Sequence, residues 1–143
     1  MVKLEENTIR ELAKEALKMR EYSYVPYSNF CVGAALLTRD GKVYTGCNIE
    51  NAAFTPTNCA ERTAFFKAVS EGEYHFRAIA VAGGMKGNKE LDYCSPCGVC
   101  RQVMMEFCNP EEFQVIFVKS ETEYKIYTLK EILPMGFGPG DLE

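Results

Sequence analysis

The segment Thr57-Asn-Cys-Ala-Glu-Arg-Thr-Ala-Phe-Phe66 combines the start of a helix with two side chains that can carry chemistry. Its composition favours a helix over residues 57 to 72, where a glycine ends it. Residues two apart in a helix interior point about 200° away from each other, so Cys59 and Glu61 can face one ion only at the helix mouth. Taken alone, Glu61 is better explained as a first-turn carboxylate that the helix dipole favours. A metal site therefore needs further ligands elsewhere in the chain.

A second segment, Cys94-Ser-Pro-Cys-Gly-Val-Cys100, supplies such ligands. Proline suits the first position of a helix, so we expect a helix to begin near Pro96 and to bring Cys97 and Cys100 onto one face. Two sulfurs at that spacing can bind one Zn²⁺ at about 2.3 Å, although a redox pair or two buried thiols would give the same motif. Cys59 as a third thiolate completes the three-ligand count of a catalytic zinc site and leaves the fourth position open.

Two arginines directly follow expected ligands. Three thiolates would give a Zn²⁺ site a net charge of about −1, which weakens the power of the metal to lower the pKa of water. We expect Arg62 and Arg101 to donate hydrogen bonds to the sulfurs, aided by the partial positive charge of two helix N-termini. The alternative for each arginine is a solvated surface charge.

The segments around these motifs alternate between strand and helix patterns. Apolar residues at helical spacing behind Thr8 predict an amphipathic helix over residues 8 to 21, with Thr8 as its cap. Asp40-Gly41 between two β-rich runs predicts a hairpin. The expected strands are FCVGAALLT (30–38), KVYTGCNIE (42–50), AIAVAG (78–83), QVIFVKS (114–120) and EYKIYT (123–128), and a last short helix is expected at TLKEIL (128–133). This order predicts an α/β protein with a partly parallel sheet and an antiparallel final strand pair.

Length, charge and cysteine content limit the classes of function. A chain of 143 residues suits one domain, and a net charge of −4 without a basic run argues against nucleic acid as a partner. No stretch approaches the roughly 18 apolar residues of a membrane span, and the charged N-terminal segment is unlike a signal peptide. Seven cysteines, an odd number, indicate free thiols in a reducing cytoplasm. We expect a small neutral ligand and no membrane.

Five segments carry a resemblance to a known family: PYSNFCVGAALLT, GCNIENAAF, NCAERTA, SPCGVCRQV and ILPMGFGP. Together they resemble the small homotetrameric, zinc-dependent cytidine deaminases of nucleoside salvage, over nearly the whole chain. The resemblance implies a single domain, 1–143, with a three-layer α/β fold: a mixed five-stranded sheet with helices on both faces. It also implies a homotetramer in which neighbouring subunits complete each other's sites.

The resemblance implies the chemistry as well. Cys59, Cys97 and Cys100 hold one zinc ion per chain, and a water activated by zinc attacks C4 of cytidine or 2′-deoxycytidine. Glu61 carries protons between this water and the pyrimidine, ammonia leaves and the uracil nucleoside remains. No residue can be identified from the sequence that would recognise the 2′ position of the sugar, so cytidine and 2′-deoxycytidine both stay candidate substrates.

The same resemblance assigns the substrate contacts. Asn48 and Glu50 match residues that hold the ribose hydroxyls, and Phe30 matches an aromatic residue that packs against the pyrimidine. The backbone N–H of Ala60 and the backbone carbonyl of Ser95 contact the base. Without the resemblance, Asn48 would be interpreted as an Asx turn at a strand end and Phe30 as a core residue.

The chain also departs from the common pattern of this family. Phe137 resembles a residue that enters a neighbouring subunit's site, but the flexible Met135-Gly136 pair before it makes its reach less defined. Val99 replaces the usual alanine between two ligands, which affects local packing. Phe54 stands where tyrosine is common and removes a hydroxyl from the subunit interface or the mouth of the site.

Three other interpretations compete with this one. Cys94, Cys97 and Cys100 also open an iron–sulfur pattern, but that pattern ends in Cys-Pro, whereas Cys108 is followed by Asn109. A structural zinc module would need a fourth ligand, for which only Cys94 or the single histidine is suitable, and it would leave Glu61 without a role. A polynucleotide deaminase would need a positive track for phosphates.

The remaining candidate ligands are expected to have ordinary roles. Cys31 and Cys47 lie in expected strands and are predicted to be small buried hydrophobic residues. Cys94 precedes the proline and is expected to lie off the helix face. His75 follows Gly72 in a loop and is expected at the surface.

Overall fold

The computed structural model describes residues 3–143, so the first two residues of the expected single domain lie outside the described residues. One five-stranded sheet carries helices on both faces. The strands are β1 (Phe30–Thr38), β2 (Val43–Cys47), β3 (Phe76–Met85), β4 (Gln114–Val118) and β5 (Tyr124–Thr128). The helices are α1 (Glu6–Met19), α2 (Ala60–Ser70), α3 (Gly98–Phe107) and α4 (Leu129–Ile132), with 3₁₀ turns at Arg20–Tyr22 and Pro139–Leu142.

The sheet is mixed, as predicted. Its strand order is β2-β1-β3-β4-β5, and β1 pairs antiparallel with both β2 and β3. β3 and β4 are parallel and are connected through α3, while β4 and β5 form the antiparallel final pair. Asp40 and Gly41 turn the chain between β1 and β2, and Gly41 takes the left-handed backbone (φ 94°) that such a turn requires.

Two apolar layers hold the helices on the sheet. Along β3, Ala78, Ala80 and Ala82 pack with α1 on one face, whereas Ile79 and Val81 pack with the other helices on the opposite face. Because successive residues of a strand point to opposite faces, this one strand contributes to both cores. Both faces are buried, and the chain order of β-strand and helix therefore leads to three layers.

The beginning of α1 differs from the sequence-based expectation. Thr8 does not cap the helix, because the helix already begins at Glu6 behind the N-cap residue Glu5, which makes no side-chain capping bond. Leu4 and Ile9 flank the start of the helix and are both buried in the α1 core. An apolar pair at these two positions fixes the entry of the chain into a helix. Burial therefore sets this helix start.

The helices that carry the cysteines also begin later than expected. α2 begins at Ala60 rather than at residue 57 and ends at Ser70, with Cys59 as its N-cap residue. α3 begins at Gly98 with Cys97 as its N-cap residue, so Pro96 precedes the cap instead of opening the helix. Both caps have extended backbone angles, φ −74° and ψ 156° at Cys59 and φ −67° and ψ 166° at Cys97.

The second strand is shorter than predicted. β2 ends at Cys47, and the following residues leave the sheet, with Ile49 making isolated bridges to Tyr24 and Asn58. These bridges hold residues 48–50 between the loop before β1 and the loop before α2. The expected strand over residues 42 to 50 was therefore too long. Ile49 and Glu50 pair with loops, whereas Asn48 still donates its N–H to the carbonyl oxygen of Val32 in β1.

A glycine allows α2 to approach the sheet closely. A Cβ atom at Gly46 would lie 2.3 Å from the carbonyl oxygen of Ala60, which is far inside van der Waals contact. The N-terminus of α2 therefore packs directly against β2. Within residues 3–143, no helix combines the length and the apolar character that a membrane span would require.

Candidate active site

Three cysteine sulfurs meet where the N-termini of α2 and α3 converge. The Sγ atoms of Cys59, Cys97 and Cys100 all lie within 4.8 Å of one another. The Cys59–Cys97 distance is 3.7 Å and the Cys97–Cys100 distance is 3.5 Å. Cys100 is buried, Cys59 is half-buried and Cys97 is exposed, so one side of the cluster is open to solvent. The structure thus brings together the three residues that the sequence grouped.

The chemistry and spacing of these donors fit a zinc ion. Sulfurs arranged tetrahedrally at about 2.3 Å from one Zn²⁺ lie about 3.8 Å apart, close to the sulfur–sulfur distances in this cluster. Hydrogen bonds, first from the thiol of Cys100 and also from Arg62 and Cys97, lower the pKa of Cys59 to about 5. Metal binding needs thiolates, and at neutral pH this residue already favours that form.

Arg62 places a positive charge on the cluster. Its guanidinium donates a hydrogen bond to the Cys59 sulfur over 3.2 Å. Its Nε atom is buried and, within the described part of the chain, has no hydrogen-bond partner. A buried N–H without an acceptor is costly, and a second thiolate in the cluster would supply one. The donor set and this charge together fit a metal site with three thiolates.

Glu61 lies beside the sulfurs in the first turn of α2. Its side chain is only 4% exposed. Burial raises the pKa of Glu61 to about 7, and the negative charge of Cys59 acts in the same direction, while hydrogen bonds from its own backbone and from Cys100 act in the opposite direction. Since Cys59 is the extended N-cap residue, the 100° step of a helix does not separate it from Glu61. This explains how residues two apart share one site.

Arg101 was expected to donate a hydrogen bond to a sulfur, but its side chain bonds to two carbonyl oxygens instead. Its Nε donates to the carbonyl oxygen of Pro96 over 2.8 Å, and one terminal nitrogen donates to the carbonyl oxygen of Ile132 over 2.6 Å. The side chain therefore braces the turn before α3 against the C-terminal segment. In a first turn, consecutive residues point about 100° apart, so a residue next to a ligand need not face it.

The side chain of Asn48, just after β2, forms two hydrogen bonds with the backbone of β1. Its Oδ1 accepts a hydrogen bond from the N–H of Val32 over 2.9 Å, and its Nδ2 donates to the carbonyl oxygen of Phe30 over 2.8 Å. These bonds fix the amide at the point where β2 ends. They are bonds to another strand, not the local Asx turn that the sequence alone suggested.

Glu50 borders an aromatic cleft. Its Oε1 accepts hydrogen bonds from the backbone N–H groups of Tyr27 (3.0 Å) and Ser28 (3.1 Å). Its Oε2 accepts a bond from the hydroxyl of Ser28. The cleft has a volume of about 320 Å³, and its lining comprises Tyr27, Ser28, Glu50, Phe54 and Thr57. Sequence reasoning did not select Ser28, although it stands inside the segment PYSNF that carried the resemblance.

The other predicted contact residues lie at the rim of these features. Phe30 is 36% exposed at the start of β1, so it is not a core residue. Ala60 is fully buried as the first residue of α2, and Ser95 is exposed two residues before Cys97. Phe137 is 58% exposed, and its carbonyl oxygen accepts a bond from the side chain of Gln102 over 2.8 Å.

Phe54, Val99 and Met135, which mark the three departures from the family pattern, are all exposed at the surface. Phe54 is 71% exposed and has a left-handed backbone (φ 61°), and its ring meets that of Tyr27 edge-on at 6.2 Å. Val99 is exposed on α3. The larger side chain of Val99 therefore leaves the spacing of the neighbouring cysteines intact.

The remaining cysteines stay outside the sulfur cluster. Cys31 and Cys47 are buried, as predicted, and all seven cysteines are free. Burial raises the pKa of Cys94 to about 11. A Cβ atom at Gly83 would lie 2.8 Å from the Cys94 sulfur and 3.1 Å from the ring of Phe30. The absence of a side chain at Gly83 therefore leaves room for both of these groups. His75 is exposed, as predicted.

Comparisons with known proteins agree with this geometry. A family model described as "Cytidine and deoxycytidylate deaminase zinc-binding region" matches residues 6–117. A cytidine deaminase of Sporosarcina psychrophila is 49% identical over 134 residues, which is 94% of this chain and 94% of that protein. A probable cytidine deaminase of Dictyostelium discoideum is 42% identical over 127 residues, which is 89% of this chain and 82% of that protein.

A solved structure shows the same fold. The crystal structure of a cytidine deaminase from Burkholderia pseudomallei matches with a TM-score of 0.79 at 44% identity, and covers 89% of this chain and 97% of that chain. The fold, the three thiols and the buried carboxylate define a zinc-binding deaminase domain. The chain belongs to the cytidine and deoxycytidylate deaminase family and is an enzyme of the hydrolytic deaminase class.

Proposed function

We propose that the protein hydrolyses cytidine and 2′-deoxycytidine to uridine and 2′-deoxyuridine with release of ammonia, as a step of pyrimidine salvage. The observation that carries this proposal is a buried carboxylate, Glu61, whose pKa is raised to about 7 beside three clustered thiols. The names of the relatives support the nucleoside substrate. The acidic balance of the chain also favours a small nucleoside over a polynucleotide.

One zinc ion per chain would be held by Cys59, Cys97 and Cys100. When bound there, zinc supplies the Lewis acidity that lowers the pKa of water and makes it a nucleophile at neutral pH. Arg62 offsets part of the thiolate charge through its hydrogen bond to Cys59. The spacing of the sulfurs and the chemistry of the donors support zinc over metals that prefer oxygen ligands.

Glu61 moves the protons in this proposal. It accepts a proton from the attacking water and delivers it to N3 of the pyrimidine. It then takes the proton of the new hydroxyl at C4 and gives it to the departing amine, which leaves as ammonia. A group that both accepts and donates needs a pKa near the working pH, and burial supplies that pKa at Glu61.

The substrate contacts follow the same arrangement. Phe30 packs against the pyrimidine ring, while the N–H of Ala60 and the carbonyl of Ser95 bind the base. Asn48 and Glu50 hold the ribose, because an amide and a carboxylate together can both donate to and accept from a hydroxyl. The support for these roles is that Asn48 and Phe30 are tied together by a hydrogen bond and that Glu50 borders an open cleft.

The assembly belongs to the same proposal. Phe54, Met135 and Phe137 are exposed apolar side chains that contacts between subunits would bury. We expect a homotetramer in which Phe137 reaches the site of a neighbouring subunit. Sedimentation velocity would give the mass of four chains, and a monomer would contradict this part of the proposal.

The free thiols favour a reducing compartment such as the cytoplasm.

The test is deamination of cytidine by the wild-type protein and by Glu61→Gln, followed through the loss of cytosine absorbance. Glutamine keeps the shape of the side chain but cannot accept a proton. We expect turnover in the wild type, a loss of at least about a thousandfold in the variant, and about one zinc per chain in both. Glu11→Gln, an exposed position on α1, is the matched control and should behave as wild type.

Two outcomes would contradict the proposal. A wild-type protein that binds zinc but converts neither cytidine nor 2′-deoxycytidine would point to a structural metal module. Full activity in Glu61→Gln would remove the proton-carrying role of this residue while leaving the substrate assignment intact.

A further inference from the structure

The hydroxyl of Ser28 joins two groups that border the proposed substrate site. Its Oγ donates a hydrogen bond to Oε2 of Glu50 and accepts one from the N–H of Phe30 over 3.0 Å. A hydroxyl has one proton, and here that proton is given to the carboxylate. Ser28 thus links the start of β1 to a side chain that follows β2.

The bonds at Glu50 leave it little capacity for other partners. Two carboxylate oxygens offer about four acceptor positions. The N–H groups of Tyr27 and Ser28 occupy two positions on Oε1, and the Ser28 hydroxyl occupies one on Oε2. One acceptor position on Oε2 remains. The carboxylate is therefore fixed in orientation and can accept one hydrogen bond from a ligand.

Asn48 has a similar remaining capacity. Its Oδ1 and one N–H of its amide are already bonded to β1, at Val32 and Phe30 respectively. The second amide N–H is left to donate. One donor from Asn48 and one acceptor from Glu50 match a single hydroxyl, which both accepts and donates a hydrogen bond.

We infer that Ser28 is a positioning residue for substrate binding, whose hydroxyl holds the carboxylate of Glu50 in the orientation that receives a ribose hydroxyl. This inference rests on the proposed function, because it assumes that Glu50 binds the sugar. Ser28 acts through Glu50 and does not contact the reacting atoms.

The loop around Ser28 is held well enough for this role. The N–H of Asn29 donates to the carbonyl oxygen of Val25 over 3.0 Å, and the carbonyl oxygen of Asn29 accepts from the N–H of Lys86 over 2.8 Å. The hydrogen bond from the Ser28 hydroxyl is also the largest cause that lowers the pKa of Glu50. Glu50 therefore stays ionised at neutral pH, as acceptance of a ligand hydroxyl requires.

The test is the kinetics of Ser28→Ala and Ser28→Thr with cytidine, with Ser70→Ala as the control. Ser70 likewise donates a hydrogen bond from its hydroxyl, but to the carbonyl of Lys67 at the end of α2. A lost hydrogen bond to a charged group predicts that Ser28→Ala raises KM about tenfold while kcat changes less than about threefold. Ser28→Thr should restore most of the affinity, and Ser70→Ala should change neither constant.

A second comparison separates positioning from folding. If Ser28 acts through Glu50, then Ser28→Ala introduced into Glu50→Ala should change KM by less than about twofold, because the two effects are not independent. An equal rise of KM in both backgrounds, or an unchanged KM in Ser28→Ala of an active protein, would overturn this inference alone. A wild-type protein inactive on cytidine would overturn the proposed function and this inference with it.

Discussion

The two ends of the candidate site are built by different means. At the sulfur cluster, Cys59 and Cys97 are the N-cap residues of two long helices, and Glu61 and Cys100 are buried in the first turns behind them. At the aromatic cleft, the side chains are at least partly exposed, and the loop before β1 holds Glu50 through hydrogen bonds from its backbone N–H groups. Packing fixes one end, and hydrogen bonds fix the other.

This difference matches the two roles that we propose, chemistry at the sulfur cluster and recognition at the cleft. A dry environment shifts pKa values and strengthens electrostatic interactions, which proton transfer needs, and only the buried end provides it. The open end carries Asn29 (φ 60°) and Phe54 (φ 61°), two residues with left-handed backbone that a non-glycine residue adopts only at a cost. Recognition of a hydroxyl needs exact hydrogen-bond geometry more than burial, so exposed loops are sufficient for it.

The largest expected effect comes from removal of a sulfur ligand. Cys100→Ala deletes the buried member of the cluster, and we expect zinc content to fall far below one per chain and turnover to fall at least about a thousandfold. Cys108→Ala is the matched control, since Cys108 lies in the same core but outside the cluster. Metal analysis and the cytidine assay give both values. Retention of a full zinc content by Cys100→Ala would show that the thiols do not bind the metal together.

The second effect concerns burial at Glu61 and is measured by chemical unfolding of the metal-free protein. The pKa of Glu61 is raised from 4.5 to about 7, so the native state keeps a proton that the unfolded chain releases. The contribution of Glu61 to stability should therefore fall as pH rises from about 4.5 to about 7, and should stay lower above that range. The lowered pKa of Cys59 acts in the opposite direction above about pH 5, so the Glu61 contribution has to be measured as a difference between variants. A shift of this size corresponds to about 3 kcal/mol in the free energy of unfolding.

Glu61→Gln isolates this contribution, because glutamine does not titrate. The unfolding free energy of the variant minus that of the wild type should increase over the same pH range, because only the wild type carries the titrating carboxylate. A difference that stays constant with pH would mean that the carboxylate is not desolvated. The contrast between a buried sulfur cluster and an open aromatic cleft would then be wrong.

The third effect lies between the two ends, at Gly83. An alanine there would meet the sulfur of Cys94 and the ring of Phe30, both of which would have to shift. We expect Gly83→Ala to keep zinc but to lower kcat/KM for cytidine about ten- to a hundredfold, because small misplacements in a site are costly. Gly140→Ala, where a new Cβ meets nothing within 4 Å, is the control. Unchanged kinetics in Gly83→Ala would show that Cys94 and Phe30 can accommodate the added methyl group without disturbing the site.

The smallest effect tests backbone strain at the cleft. Phe54→Gly and Phe54→Ala both remove the ring that meets Tyr27, but only glycine relieves the left-handed backbone. We expect the glycine variant to be more stable than the alanine variant by about 1 kcal/mol in urea unfolding. The reverse order would show that the loop relaxes and stores no strain.

Much of the fold was predictable because its signals are local. The alternation of strands and helices, the turn at Asp40-Gly41 and the antiparallel final pair follow from residues close together in sequence. The errors occurred at the ends of elements. α1 begins before Thr8, and β2 ends at Cys47, because contacts with distant residues set these boundaries.

The candidate site was predictable in its residue types but only partly in its contacts. Arg62 donates to a sulfur, whereas Arg101, equally adjacent to a cysteine of the cluster, donates to two carbonyl oxygens. Ser28 was not selected at all, since its partner Glu50 lies 22 positions away in sequence. A sequence shows which side chains are able to bind, and the packing of the helices decides which way each one faces.

The sequence by itself determined the family, the presence of a helix at each of the two cysteine segments, and a thiol and a carboxylate at the start of one of them. Only the tertiary structure brought Cys59 within 3.7 Å of Cys97, a residue 38 positions away. Only the tertiary structure also removed Glu61 from water and so raised its pKa. The physical reason is that propensities and caps act over a few residues, whereas burial and the meeting of distant side chains depend on how the whole chain packs.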